Sequence, residues 1–174
     1  FLPNDESESQ RCQAIIEEIV VNEGQTVLGW RDVPTDDSSL GPTAILGEPT
    51  FRQIFIGRDS KLEDVAAFER KLYIIRKLAE NSIWSSDLTQ KDRFYIPSLS
   101  SKTFIYKGML TVTQLELMYP DILAPDFESA LALVHQRFST NTFPAWKLAH
   151  PFRYVAHNGE INTVRGNANW MRAR

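Results

Sequence analysis

Residues 129–141 read Ser129-Ala130-Leu131-Ala132-Leu133-Val134-His135-Gln136-Arg137-Phe138-Ser139-Thr140-Asn141. From Ser129 to Val134 both alternating faces are apolar, the pattern of a central strand covered above and below. At His135 the character turns polar, so a buried strand is expected to deliver His135, Gln136, Arg137, Ser139, Thr140 and Asn141 to its end. Strand ends feeding loops are where scaffolds hold functional groups. Phe152 to Ala156 is expected to be a second buried strand, leading into His157-Asn158-Gly159-Glu160. If residues 141–151 form a crossover or return loop, the two polar ends share one cleft.

Outward from this region, the chain alternates helix and strand patterns. Cys12, Ile15, Ile16 and Ile19 recur at helical spacing from about Ser9 to Val21, and Asn22-Glu23-Gly24 supplies a glycine stop. Thr26 to Trp30 and Phe51 to Gly57 read as strands, and the segment from Ser38 to Pro49, with Gly41-Pro42 and Gly47, reads as a surface loop. Leu62 to Glu80 is the strongest helical pattern, with Val65, Phe68, Leu72, Ile75 and Ala79 on one stripe. Arg93 to Ile96 and Thr103 to Lys107 look like two further strands. Thr111 to Tyr119 is expected as a short helix stopped by Pro120, and Asn162 to Arg174 as a helical tail. No internal repeat or flexible linker interrupts the pattern. Apolar strands with separate amphipathic helices predict an α+β fold, a sheet covered by helices.

The chain has 174 residues, the length of one domain, which can bury roughly 70% of its unfolded surface. Hydrophobic residues at 43% and charged residues at 24% are globular values, which excludes collagen-like and wholly disordered readings. A net charge of −3 carries no basic footprint for nucleic acid, and no apolar run approaches the roughly 20 residues of a membrane span. No nucleic-acid or membrane partner is expected. The chain starts at Phe1 without the basic-then-apolar order of an export signal, and one cysteine, Cys12, forms no internal disulfide. A reducing compartment, the cytoplasm, is the expected location.

Residue chemistry leaves several alternatives open. Arg137 beside hydroxyls suits bidentate capture of a carboxylate, or a structural ion pair. Asn158-Gly159 is a leading hairpin-turn signal, or an oxyanion hole in which an Asn N–H and a backbone N–H face developing negative charge. His135, His150 and His157 are too scattered in sequence to suggest zinc. Cys12 is a packed thiol or a nucleophile, and its helical spacing favours packing. There is no G-x-S-x-G element and no phosphate-cradling glycine loop.

Four runs carry a family resemblance: QRCQAIIEEIVVNEGQTVLGWRDVPTD from 10 to 36, AFERKLYIIRK from 67 to 77, HQRFSTNTFPAW from 135 to 146 and HPFRYVAHNGEINTVRGNANWMRAR from 150 to 174. Together they resemble the amino-terminal glutaminase region of glutamate synthase large subunits, among the class II glutamine amidotransferases. The resemblance implies an N-terminal-nucleophile fold, a four-layer α/β/β/α sandwich with two stacked antiparallel sheets between helices. It implies that an N-terminal cysteine attacks the side-chain amide of L-glutamine, forming a thioester as ammonia leaves. Arg137 and Thr140 match the Arg-x-x-Thr element that grips the substrate, and Asn158 and Gly159 match the oxyanion hole.

Cys12 departs from that family pattern, because a helical Gln13-Ala14-Ile15-Ile16 follows it instead of a glycine-rich strand. Residues 1–174 are therefore expected to be part of one amidotransferase domain, lacking its nucleophile segment and its C-terminal part, and inactive alone. For the parent enzyme the resemblance implies glutamate synthesis from glutamine and 2-oxoglutarate, a step of nitrogen assimilation. It also implies synthase domains with FMN and an iron–sulfur cluster, fed by an NAD(P)H-oxidising small subunit or ferredoxin. The cofactors are expected outside this chain, and the compartment is the cytoplasm, or a plastid in a photosynthetic eukaryote. Alternative readings are a segment of another class II amidotransferase and a non-catalytic interaction module.

Overall fold

Asp5 begins the first helix by accepting a hydrogen bond from the Glu8 backbone N–H at 3.0 Å, satisfying an otherwise orphaned donor of the opening turn. In this computed structural model, which describes residues 1–137, 143–157 and 164–174, α1 runs from Glu6–Asn22. Glu6 and Glu8 lie in its first turn, where the helix dipole favours negative charge. Gly24, at φ 73°, takes the left-handed conformation that ends it. Ser9, Cys12, Ile16 and Val20 form its buried stripe, while Ile15 and Ile19 are only partly buried.

The chain then forms β1 (Thr26–Asp32), α2 (Pro42–Gly47), β2 (Arg52–Gly57), α3 (Val65–Trp84), α4 (Val112–Met118) and α5 (Val164–Ala173). β1 and β2 pair antiparallel, with Thr26 opposite Gly57 and Asp32 opposite Arg52. The register breaks between Val27 and Gly29, leaving Leu28 as the extra residue of a bulge. Asp64 caps α3 by accepting from the Ala67 N–H at 2.6 Å. The buried stripe of α3, Phe68, Leu72, Ile75, Ala79 and Ile83, follows the expected helical period, but Val65, expected on the same stripe, stands exposed as the first residue of the helix.

Two apolar clusters hold the molecule together. α1 and α3 enclose the first with Leu2, Leu88 and Phe94; the second joins Leu40, Ala44, Phe51, Met118, Tyr119 and Trp146. Between the ribbon and α3 lies an apolar cavity of about 350 Å³ that reaches none of residues 135–157. Among the described residues no helix is long and apolar enough to cross a membrane.

Several expected elements differ. The 38–49 loop contains α2, with Pro42 in the first turn, where its fixed φ fits and no amide is lost. Residues 93–96 and 103–107 are not strands. Lys91–Arg93 is a 3₁₀ turn, and Phe94 is buried in the first core, so the aromatic alternation there reflects packing, not pairing. Residues 129–134 form no strand either, and Leu131 and Val134 are 75% and 73% exposed. A strand apolar on both faces needs neighbours at both edges and cover on both sides. Among the described residues the sheet is the β1–β2 ribbon, which does not pair with this segment. Residues 152–156 reduce to one bridge between Phe152 and Val155, closing a tight turn in which Arg153 has φ 51°. α5 forms as expected from Val164, and Asn162 and Thr163 lie outside the described residues.

Candidate functional site

Trp146 anchors the chain that leads into the expected site. Its indole Nε1–H donates to the Ala44 carbonyl at 2.8 Å, and the side chain is 3% exposed in the second core. The 3₁₀ turn Trp146–Leu148 therefore rests against α2, and the chain continues through His150 to the Phe152–Val155 turn. Within that turn, the Phe152 N–H donates to the Val155 carbonyl at 2.8 Å and the Val155 N–H returns a bond at 2.9 Å.

The three histidines that are scattered in sequence meet in space. The His150 ring lies 4.5 Å from His135 and 5.3 Å from His157, centroid to centroid, with the Phe152 ring edge-on at 4.9 Å. Burial, followed by the neighbouring His135, holds His150 below the usual histidine range, so the stack favours the uncharged ring. His135 Nε2 and His150 Nδ1 are buried without a hydrogen-bond partner. Among the described residues, no group of three or more His, Cys, Asp or Glu side chains is placed to hold a metal ion. Turns, not a helical face, bring the three rings together, so no spacing rule could have grouped them.

Arg137 stands exposed two residues after His135, and its backbone N–H donates to His135 Nδ1 at 3.3 Å. Thr140, Asn158 and Gly159 lie outside the described residues. The structure thus brings Arg137 and His157, the neighbour of Asn158, to the same histidine cluster: each is joined to it directly or through one residue.

Lys107 has no counterpart in the sequence reading, which treats it as the end of a strand. Its side chain is buried, with Nζ donating to the Lys147 carbonyl at 2.9 Å. Nζ also lies 4.6 Å from the centre of the Tyr95 ring and 4.3 Å from that of Phe152. Burial, and secondarily the Arg76 guanidinium, push this amine down to about 7. The local signal is the glycine that follows it: the Trp146 ring leaves no room for a side chain at Gly108.

Cys12 is fully buried on α1, and burial pushes its thiol up to about 11. Such a thiol is the inert, packed kind and not an attacking thiolate. One buried cysteine also does not fit the several thiolates that an iron–sulfur cluster requires.

Comparison with known proteins places these elements in a family. The family model for class-II glutamine amidotransferases matches residues 1–174. The glutamate synthase [NADPH] large chain of Bacillus subtilis (strain 168) is 52% identical over 174 residues, covering 100% of this chain and 11% of that protein. The glutamate synthase [NADPH] large chain of Azospirillum brasilense is 45% identical over 174 residues, covering 99% and 11%. Ferredoxin-dependent glutamate synthase 2, chloroplastic, of Arabidopsis thaliana is 45% identical over 180 residues, covering 100% and 10%. The chain spans about a tenth of the length of these relatives. With the match running over every residue from Phe1 to Arg174, the chain belongs to the class-II glutamine amidotransferases.

Proposed function

We propose that residues 1–174 are part of the glutaminase domain of a glutamate synthase, which releases ammonia from L-glutamine and delivers it to 2-oxoglutarate to form glutamate. The observation that carries this reading is the family match over the whole chain, joined to the three relatives above, each named a glutamate synthase. Those names favour it over another class-II amidotransferase and over a non-catalytic module.

In the reaction, an N-terminal cysteine thiol gives its proton to its own α-amine and attacks the side-chain carbonyl carbon of glutamine; the carbon–nitrogen bond breaks as that proton passes to the departing nitrogen, and ammonia leaves. Water then hydrolyses the thioester, releasing glutamate and regenerating the thiol. Buried Cys12 is unsuited to that attack, so the nucleophile comes from outside residues 1–174. Arg137 grips the substrate α-carboxylate through its two-pronged guanidinium, and Thr140 binds neighbouring polar groups. Asn158 and Gly159 supply the N–H donors that stabilise the oxyanion of the tetrahedral intermediate.

The complete domain is a four-layer α/β/β/α sandwich of the N-terminal-nucleophile type. Ammonia passes to synthase domains of the same parent chain. FMN and an iron–sulfur cluster would be held by those domains, where they would supply the redox chemistry, with an NAD(P)H-oxidising small subunit or ferredoxin as electron donor. The protein works in the cytoplasm, or in a plastid in a photosynthetic eukaryote.

The test is ammonia release from glutamine by the full-length protein, with intact-mass analysis after treatment with an electrophilic glutamine analogue. The expected result is glutamine-dependent ammonia and one glutamine-protectable adduct on a cysteine other than Cys12. An adduct on Cys12 overturns the assignment of the nucleophile, and absence of glutamine-dependent ammonia overturns the glutaminase reading.

A further inference from the structure

Lys107 is 2% exposed, and among the described residues no carboxylate pairs with it. Burying a cation without a counterion is costly, and an apolar side chain of similar length would fill the same space at lower cost. The contacts that compensate it converge on one place. Nζ donates to the Lys147 carbonyl and faces the Phe152 ring, so both ends of the 147–152 segment are tied to one ammonium. The next residue, Gly108, lets the Trp146 ring close directly onto the backbone.

The base beneath this tie is fixed. Tyr119, 2% exposed, donates its hydroxyl to the Lys107 carbonyl at 2.9 Å, and the centre of the Tyr95 ring lies 4.6 Å from the ammonium. A second cation–π contact secures the same turn from outside: the Arg153 guanidinium lies 5.2 Å from the Tyr73 ring of α3. Asn158 follows Val155, the closing residue of this turn, by three positions in the chain. A donor aimed at a developing oxyanion works only when held to a fraction of an ångström.

We propose that Lys107 is a positioning residue for the glutaminase site: its ammonium, held between Tyr95 and Phe152 and bonded to the Lys147 carbonyl, sets the 146–155 segment from which Asn158 and Gly159 extend. This rests on the glutaminase reading and adds to it a residue that touches neither glutamine nor the nucleophile. Loss of the ammonium loosens the 147–152 segment that leads to these donors, whereas Arg137 lies on a separate stretch of chain that meets this one only through the His135–His150–Phe152 ring contacts. The effect therefore falls on kcat more than on KM.

The experiment compares the full-length enzyme with its Lys107→Met and Phe152→Leu variants in glutamine hydrolysis. Competent sites are counted by titration with an electrophilic glutamine analogue. For Lys107→Met, kcat per titrated site is expected to fall about tenfold or more, with KM changed less than about threefold. Phe152→Leu keeps apolar bulk but removes the ring, and kcat per site is expected to fall in the same direction. A purely structural role lowers the number of titratable sites and leaves kcat per site at the wild-type value; that outcome overturns the proposal. If Lys107→Met does not fold, Phe152→Leu decides by the same criterion. A wild-type enzyme that releases no ammonia from glutamine overturns the glutaminase reading itself, a different failure from wild-type turnover per site in the variants.

Discussion

The Trp146 indole lies so closely over Gly108 that a Cβ on that glycine would meet Cε3 at 2.6 Å and Cζ3 closer still. The requirement for glycine is therefore spatial and lies in the tertiary contact. Gly108→Ala is expected to destabilise the protein by about 1–3 kcal/mol, the cost of overpacking a closed contact. Urea denaturation checks it, and a midpoint equal to wild type would show that the indole can move aside freely.

Ile75 is fully buried where α3 meets α1, among Cys12, Ile16, Val20 and Ala79. Ile75→Ala removes apolar bulk that no neighbour can replace, at an expected cost of about 2–5 kcal/mol. The exposed Ile74→Ala on the same helix serves as control, and similar losses at both positions would contradict the observed orientation of α3.

The Arg31 guanidinium, bonded to Asp121 at 2.5 Å, holds that carboxyl below its usual 3.8, and the Tyr106 hydroxyl donates to its other oxygen at 3.0 Å. The unfolded chain therefore binds the proton first on acidification. Stability from this group is complete above pH 3.8 and is lost as pH falls through the lower folded-state value. Asp121→Asn is expected to flatten the acid side of a stability-against-pH curve, and superimposable acid limbs would remove the interaction from the balance.

Cys12, fully buried with its thiol pushed up to about 11, is expected to resist iodoacetamide in the native protein at pH 8 and to react once urea unfolds it. Mass spectrometry reads the difference directly. Rapid native alkylation would place the thiol in a reactive environment at odds with this core.

In the full-length enzyme, Arg137→Ala is expected to raise KM for glutamine about tenfold or more, since it removes a charged grip on the substrate. Asn158→Ala is expected to lower kcat by roughly 10²-fold or more, as the loss of an oxyanion donor does. Steady-state glutaminase kinetics separate the two. An unchanged KM in the first variant favours a structural ion pair, and normal turnover in the second favours a simple turn.

The family was legible because HQRFSTNTFP and HNGEINT are long, specific strings, and chemistry carried by specific strings does not wait on folding. α1 and α3 were legible for a local reason: a helix satisfies its backbone within itself, so the period of Phe68, Leu72, Ile75 and Ala79 is enough to locate it. The strand patterns could not be judged in the same way. Leu131 and Val134 read as buried, yet burial of a strand depends on partners elsewhere, and in this structure both stand exposed.

By itself, the sequence determined the amphipathic helices, the β1–β2 strands and the membership in a class-II amidotransferase family. Tertiary structure alone decided that the rings of His135, His150 and His157 meet, that Lys107 ties Lys147 to Phe152, and that Gly108 must stay bare beneath Trp146. The physical reason is range. Helical periodicity and turn chemistry are set by neighbours a few residues away, whereas a stack of rings or a buried ammonium exists only where chain closure brings distant residues together.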